Sequence, residues 1–245
     1  HTSTSIGVNL DVEANASRLK AVMVPASQTV ADPKAYIEEN AVVDYKSSYK
    51  KAFDFLTPET EYTVYALAYD SNGMPSEVTS KTFKTGKTED DPFKVEAKDI
   101  HTTRLHYSVD AKDPNVKFFT VCENLDKYYQ DCDEADNAGD IVNHFIAMWK
   151  SFGSMAGITW QEMMDIQMRL GTYDSEAEND PSRSLHWGSK CAIVTFGMSP
   201  DGELCTPIQV DPVMTKTPEP SDMTIKLTLV KNEWRNVVIR AEVSD

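Results

Sequence analysis

Nine residues, Tyr62-Thr-Val-Tyr-Ala-Leu-Ala-Tyr-Asp70, constrain what this chain can fold into more than any other stretch. Tyr62, Val64, Ala66 and Ala68 take one side of a two-residue period, and Thr63, Tyr65, Leu67 and Tyr69 take the other, which is the pattern of a β-strand. Asp70-Ser-Asn-Gly73 supplies turn chemistry, because Asn and Gly tolerate the backbone a tight reversal needs. Val78 to Phe83 then returns as the hairpin partner. Such a strand needs neighbours, and the chain ahead of it supplies Ile6 to Val12, Leu19 to Val24, a weaker strand over Tyr36 to Tyr45, and Ala52 to Phe55. Pro25 ends the second of these, since proline cannot donate to a central ladder.

The approach to the central strand narrows the fold further. Leu56-x-Pro58-x-Thr60-x-Tyr62 resembles the E–F corner of fibronectin type III domains, where a tyrosine near the start of a strand ties the corner to backbone a few residues upstream. About seven short strands in roughly 85 residues also suits an immunoglobulin-like sandwich. The second strand departs from the family pattern, which places a tryptophan there; the first tryptophan in this chain is Trp149. Val22-x-Val24-Pro25 and the Tyr62-x-Val-x-Ala-x-Ala-x-Asp-x-x-Gly73 strand resemble domains of exported surface lipoproteins of Bacteroidetes bacteria. That resemblance implies export to a bacterial cell surface, outer membrane or periplasm, with membrane attachment only through a lipid anchor preceding His1. The absence of an initial Met suggests a mature or trimmed product.

The pattern then restarts. Lys84 to Pro92 is polar, with Gly86 and Pro92, and reads as a linker. Arg104 to Asp110 aligns with Arg18 to Val24, and Leu185-x-Trp187-x-Ser189-x-Cys191 has the spacing of the Leu56 corner, with Cys191 in place of the tyrosine. Cys191 to Gly197 followed by Asp201-Gly202 matches the central strand and its turn, and Thr215-Lys-Thr217 matches Phe83-Lys-Thr85. After Pro218-Glu-Pro220, Met223 to Leu229 and Val237 to Val243 alternate once more. The expected architecture is mainly β: tandem fibronectin type III-like β-sandwiches over 1–87 and 88–217, the second with a two-helix insertion at about 122–184, and the opening strands of a third repeat over 218–245.

The insertion carries what the scaffold does not explain. Ile141, Phe145, Met148, Trp149 and Phe152 share one helical face, with Gly153 at the stop. Thr159-Trp-Gln-Glu162 is a capping box opening a second helix that Gly171 closes. Acidic loops are expected at Asp131 to Asp136 and Asp174 to Asp180. Residues 122–184 hold 13 acids against 4 bases, most of the chain's net charge of −15. Met148, Met155, Met163, Met164 and Met168 are half of the ten methionines, which suits either an adaptable binding face or a gap-filled core.

Charge and motifs exclude several functions. A net charge of −15 opposes phosphate-backbone binding, so nucleic acid is not an expected partner. No apolar run is long enough to span a bilayer. Asp131-x-Asp133-Glu134-x-Asp136 lacks the glycine and closing glutamate of a helical calcium loop, and His101, His106, His144 and His186 have no paired ligand spacing. Cys122, Cys132, Cys191 and Cys205 match no zinc pattern and could be thiols or disulfides. Neither a G-x-S-x-G elbow nor a phosphate loop is present, so no cofactor and no catalytic residue is expected. The candidate ligand face is aromatic: Tyr128, Tyr129, Trp149, Trp160, Tyr173 and Trp187, which beside carboxylates could stack on sugar or could be core. The expected function is a non-enzymatic surface protein that spaces, adheres or presents a ligand site to a glycan or another surface protein. The alternatives are a carbohydrate-binding accessory of a glycan-capture system and a hydrolase.

Overall fold

Antiparallel pairing organises the chain in the computed structural model, which describes residues 1–134, 141–178, 185–219, 225–233 and 236–243. The first unit contains β1 (Ile6–Leu10), β2 (Ala16–Pro25), α1 (Pro33–Asn40), β3 (Val43–Tyr45), β4 (Tyr49–Phe53), β5 (Glu61–Asp70) and β6 (Thr79–Lys84). β1 pairs with β4, and the other strands form a sheet in the order β3-β2-β5-β6. One parity of β5 faces the opposing sheet, so Tyr62 and Val64 share a core with Ile6, Val8, Leu10 and Leu19. Leu67, of the other parity, turns to the outer face, where Val22, Val24 and Ile37 of α1 cover it. The Tyr62 hydroxyl accepts a hydrogen bond from Thr57 N at 2.9 Å, the corner tie that the sequence motif implies.

α1 replaces most of the strand expected from Tyr36 to Tyr45. Asp32 caps it by accepting from Ala35 N at 3.0 Å, and Pro33 occupies its first turn. A strong helix start outweighs the β-preference of Tyr36 and Ile37, and only Val43–Tyr45 pairs as strand.

The second unit contains β7 (Phe93–Lys98), β8 (Arg104–Ala111), β9 (Lys117–Asn124), α2 (Leu125–Glu134), α3 (Ile141–Ala156), α4 (Trp160–Gln167), β10 (Arg169–Leu170), β11 (Thr172–Glu178), β12 (Lys190–Gly197) and β13 (Gln209–Met214). A three-stranded sheet, β11-β8-β7, faces a four-stranded sheet, β10-β9-β12-β13. Phe93, Leu105, Tyr107, Val109, Ile193 and Leu185 fill the space between them. The fold class is therefore mainly β, tandem fibronectin type III-like sandwiches. After Lys190 every residue of β12 is buried, because the helices cover the sheet's outer face.

Matching hydrogen bonds set the repeat register. Thr2 N donates to Ser5 O at 2.8 Å as His101 N does to Arg104 O, and Gly86 N donates to Thr2 O (2.9 Å) as Lys216 N does to His101 O (3.0 Å). β1 thus corresponds to β8, β2 to β9, β5 to β12 and β6 to β13. The expected alignment of Arg104–Asp110 with Arg18–Val24 is one strand out, and Thr215, not Thr217, is the counterpart of Thr85. A two-residue period looks the same in adjacent strands; only pairing distinguishes them.

Among the described residues the insertion has three helices rather than two. Leu125, Tyr128, Tyr129 and Cys132 fall on one face of α2, where an acidic loop was expected to begin at Asp131. α3 runs through Gly153, where a Cβ would come 3.0 Å from Ile158 O; Gly157, at φ +71°, is the stop. The Thr159–Glu162 capping box opens α4 as expected, but the helix ends at Gln167 and Gly171 lies in the β10–β11 turn. The other acidic stretch is strand β11 as far as Glu178, its acids set against a basic neighbour: Lys98–Asp174 at 2.8 Å, His106–Glu176 at 3.2 Å and Arg104–Glu176 at 3.7 Å. The remainder of both acidic stretches, 135–136 and 179–180, lies outside the described residues. β14 (Ile225–Glu233) and β15 (Asn236–Val243) form an antiparallel hairpin with a bulge between Leu229 and Lys231. All four cysteines are thiols.

Candidate functional site

The helical layer grows out of the outward residues of β9 and β12. Phe119 and Phe196 present rings to α3, with centroid distances of 4.6 Å from Phe119 to Phe145, 5.4 Å from Phe119 to Trp149 and 5.6 Å from Phe119 to Phe196. Met164 and Met168 fill the remaining gaps in that core, as unbranched side chains can. Trp149 and Tyr128 are entirely buried there. What the layer leaves in solvent is aliphatic and aromatic: Met155 is 73% exposed, Ile166 61% and Phe152 44%.

α2 also presses against the first unit. Lys51 Nζ lies 4.5 Å from the Tyr129 ring centroid, and Phe55 packs into the helical core. Phe55 holds a left-handed backbone, φ +59°, an uncommon conformation for a bulky residue that this packing helps retain. Between them Asp54 is half-buried with its Oδ2 out of solvent, and Ser5 Oγ donates to its Oδ1 at 2.6 Å. Burial pushes the Asp54 carboxyl up, against the opposing influence of Ser5, Tyr128 and Lys51. Asp54 Oδ2 and the Tyr128 hydroxyl fall short of hydrogen-bond geometry, yet act on one another electrostatically. Burial and the Asp54 charge push both Tyr128 and Tyr129 up.

A second buried polar group locks the linker. Asp91 receives Ser3 N at 2.7 Å and Ser3 Oγ at 2.5 Å, and Thr4 Oγ1 donates to Val210 O at 3.1 Å. The Gln209 side chain accepts from Phe93 N at 3.2 Å, and its amide donates to Phe93 O at 3.1 Å and to Asp211 Oδ2 at 2.9 Å. Burial raises Asp211 to about 7; the Gln209 hydrogen bond opposes the rise and the nearby Asp91 charge adds to it.

These acids do not converge on a cleft. A groove of about 440 Å³ lies at the other side of the first unit, between β1 and β6, and Asp11 is the only carboxylate among its lining residues. Among the described residues no three His, Cys, Asp or Glu side chains are arranged to hold a metal. Asp131 is buried and pairs with Lys127 and, at 3.5 Å, with His144.

The structure brings Tyr128, Tyr129, Trp149 and Trp160 into one helical core and leaves Tyr173 and Trp187 elsewhere. Tyr128 and Trp149 offer no surface to a ligand. Tyr129 and Trp160 are half-buried, the latter against Gly202 of the turn after β12. Tyr173 lies beneath the Arg169 guanidinium, 4.8 Å from its ring centroid, and Trp187 is exposed on the corner loop. Sequence reasoning missed Asp54, Asp91, Gln209 and Asp211. An acid between two aromatics in Phe53-Asp-Phe55 was the available signal.

No family model and no curated protein matches this chain. Among solved structures it is similar to the central fibronectin-III array of RIM-binding protein, at 9% identity and a TM-score of 0.28, over 98% of this chain and 75% of that one. It is also similar to the FN1–FN3 domains of chicken CNTN1, at 10% identity and a TM-score of 0.26, over 88% of this chain and 62% of that one. The fold assignment above rests on strand order, registers and the corner hydrogen bond.

Proposed function

We propose that this chain is a non-enzymatic modular protein that spaces and presents a binding element, the helical layer of the second unit. One observation carries this reading: the polar groups with perturbed titration, Asp54 and Asp211, lie where the two sandwiches meet, Asp54 beside Tyr128 and Asp211 beside Asp91, rather than lining a cleft. A spacer with a locked join holds its presented face at a set orientation, and the exposed Phe152, Met155 and Ile166 supply apolar contact there. We further propose export to a bacterial surface or periplasm, supported by the Val22-x-Val24-Pro25 and Tyr62–Gly73 resemblance alone.

The test is a glycan and protein array probed with the intact chain, with a Met155→Glu/Ile166→Glu variant and with Trp187→Ala. Binding to a surface protein that the helix variant loses is the expected result. Binding indifferent to both helix changes would count against the helical layer as the presented element. The exposed Trp187 favours a second reading, carbohydrate capture; glycan binding lost only with Trp187→Ala would support it. Turnover of any arrayed glycan would overturn the non-enzymatic reading.

A further inference from the structure

Three carboxyl groups lie where the two sandwiches meet, and among the described residues none of them forms an ion pair. At one contact Asp54, from the corner after β4, faces Tyr128 and Tyr129 of α2. Its Oδ1 receives Ser5 Oγ at 2.6 Å, and its Oδ2 and the Tyr128 hydroxyl both lie out of solvent. At the other contact Asp91 of the linker holds Ser3, and Asp211 of β13 accepts from Gln209 Nε2 at 2.9 Å. Val210, the residue before Asp211, accepts from Thr4 Oγ1 at 3.1 Å, so this acid sits where the first unit touches β13.

The surrounding charge favours neutral carboxyls. Lys51 is the cation beside Asp54, yet its ammonium lies over the Tyr129 ring, 4.5 Å from the centroid. The Cys132 thiol of α2 shares that cluster. Asp211 has the Asp91 charge as its neighbour, and Ile193, its partner on β12, carries none. Lys112, in the loop after β8, donates to Glu89 O at 2.6 Å and reaches neither acid as an ion pair.

We propose that the join between the two sandwiches is a pH-sensitive hinge, closed while Asp54 and Asp211 are protonated and opened by their ionisation. Closure withdraws both carboxyls from water and sets one of them against Asp91, whereas opening returns them to solvent. Burial raises Asp54, and Ser5, Tyr128 and Lys51 oppose that rise without cancelling it. Burial and Asp91 raise Asp211 to about 7, from which opening lets it fall toward its ordinary 3.8. The closed state therefore binds more protons. It is favoured in full below the ordinary value and gives way as pH rises through about 7. Each unit by which opening lowers either group multiplies the open-to-closed ratio about tenfold at high pH. Opening swings the helical layer relative to the first unit, so acidity sets the orientation in which that layer is presented. The hinge stands on the join alone and holds whatever binds the layer.

Small-angle X-ray scattering from the intact chain, at about pH 5.5 and about pH 8.5, tests the hinge. Extrapolation to zero concentration removes association, and near-ultraviolet circular dichroism follows the packing within each sandwich. The expected result is a larger radius of gyration at the higher pH, with a midpoint near 7 and an unchanged dichroism spectrum. Asp54→Asn/Asp211→Asn keeps the acceptors, cannot ionise and should hold the compact radius at both pH values. Asp211→Asn alone, the milder change, should lessen the expansion. A radius indifferent to pH, or an expansion that both variants retain, overturns the hinge. Expansion with loss of the near-ultraviolet signal also overturns it, because the sandwiches themselves are then unfolding.

Discussion

Thr85 and Thr215 do the same work in the two sandwiches although one corner has a tyrosine and the other does not. Thr60 N donates to Thr85 Oγ1 at 2.9 Å, and that hydroxyl donates to Thr57 O at 2.7 Å. Ser189 N donates to Thr215 Oγ1 at 3.0 Å, and that hydroxyl donates to His186 O. Each threonine is buried and satisfies corner backbone that would otherwise lack partners. Tyr62→Phe should therefore cost the first unit only about 1 kcal/mol, one hydrogen bond. Thr215→Val should cost the second about 2 kcal/mol, since it leaves the half-buried Ser189 N–H without its acceptor and removes a donor from His186 O, which keeps only Ser189 Oγ. Chemical denaturation of each variant measures both; equal costs would remove the threonine from its place as the common corner device. The resemblance marks the corner through Leu56, Pro58 and Tyr62, but the threonine that both corners share lies beyond the motif, some 25 residues on, and only folding brings it back. Asp211 gives a prediction in pH. Its folded value of about 7 lies above the ordinary 3.8, so between those values the folded chain holds a proton that the unfolded chain has released. The folded state binds more protons there, and stability contributed by this group falls as pH rises from about 4 to 7. Asp211→Asn keeps an acceptor for Gln209 and removes the titration. At pH 8 its melting temperature should exceed that of the parent by about 2–4 °C, a gain that vanishes near pH 4; a constant difference across pH would assign the effect to packing.

At the scale of the element, the helical insertion has a precedent within the chain. α1 lies between β2 and β3 and covers the outer face of the β2–β5 pair, and α2 to α4 lie between the corresponding β9 and β10 and cover the corresponding face. The second unit enlarges a connection that is already helical in the first. The helical periods of α3 and α4 were legible because Phe145, Trp149 and Met164 recur at turn spacing. α2 was not, because four of its ten residues are acidic and charge hid the Leu125, Tyr128, Cys132 face. β11 was hidden for the same reason: Asp174 and Glu176 pair with Lys98, Arg104 and His106, which only the sheet brings alongside. The turn after β12 anchors the layer from the other side. Gly202 has φ +85°, and a Cβ there would stand 2.0 Å from the Trp160 ring. Gly202→Ala is expected to cost about 2–4 kcal/mol through strain and a displaced indole, read as loss of thermal stability together with a change in tryptophan fluorescence. Lost stability with unchanged fluorescence would mean the turn is strained but does not seat Trp160.

Across the whole molecule, the join decides how the units act together. Lys84 to Pro92 has the polar composition of a flexible linker, yet Asp91 is 5% exposed and holds Ser3 through two hydrogen bonds. Composition alone reports solvation averaged over unpaired chains; it does not report a partner 88 residues away. Asp91→Ala should free the linker, so that trypsin cuts at Lys84 and Lys87 severalfold faster while far-UV spectra stay unchanged. The same variant should lower the Asp211 value, since the Asp91 charge contributes to its rise. An unchanged cleavage rate would show that the helical contacts of Lys51 and Phe55 hold the join alone. By itself the sequence determined β1, β2, β5, β6 and β12 with their approximate parity, the corner, and the helical character of α3 and α4, because each depends on neighbours within a few residues. The tertiary structure decided which strand corresponds to which, which acids are buried and which aromatics are core. Those outcomes turn on contacts between residues far apart in the chain, where desolvation and pairing, not local period, set the energy. The strand from Tyr62 to Asp70 belongs to both lists: its alternation is local, and its burial on two faces is the work of β1, β4 and α1.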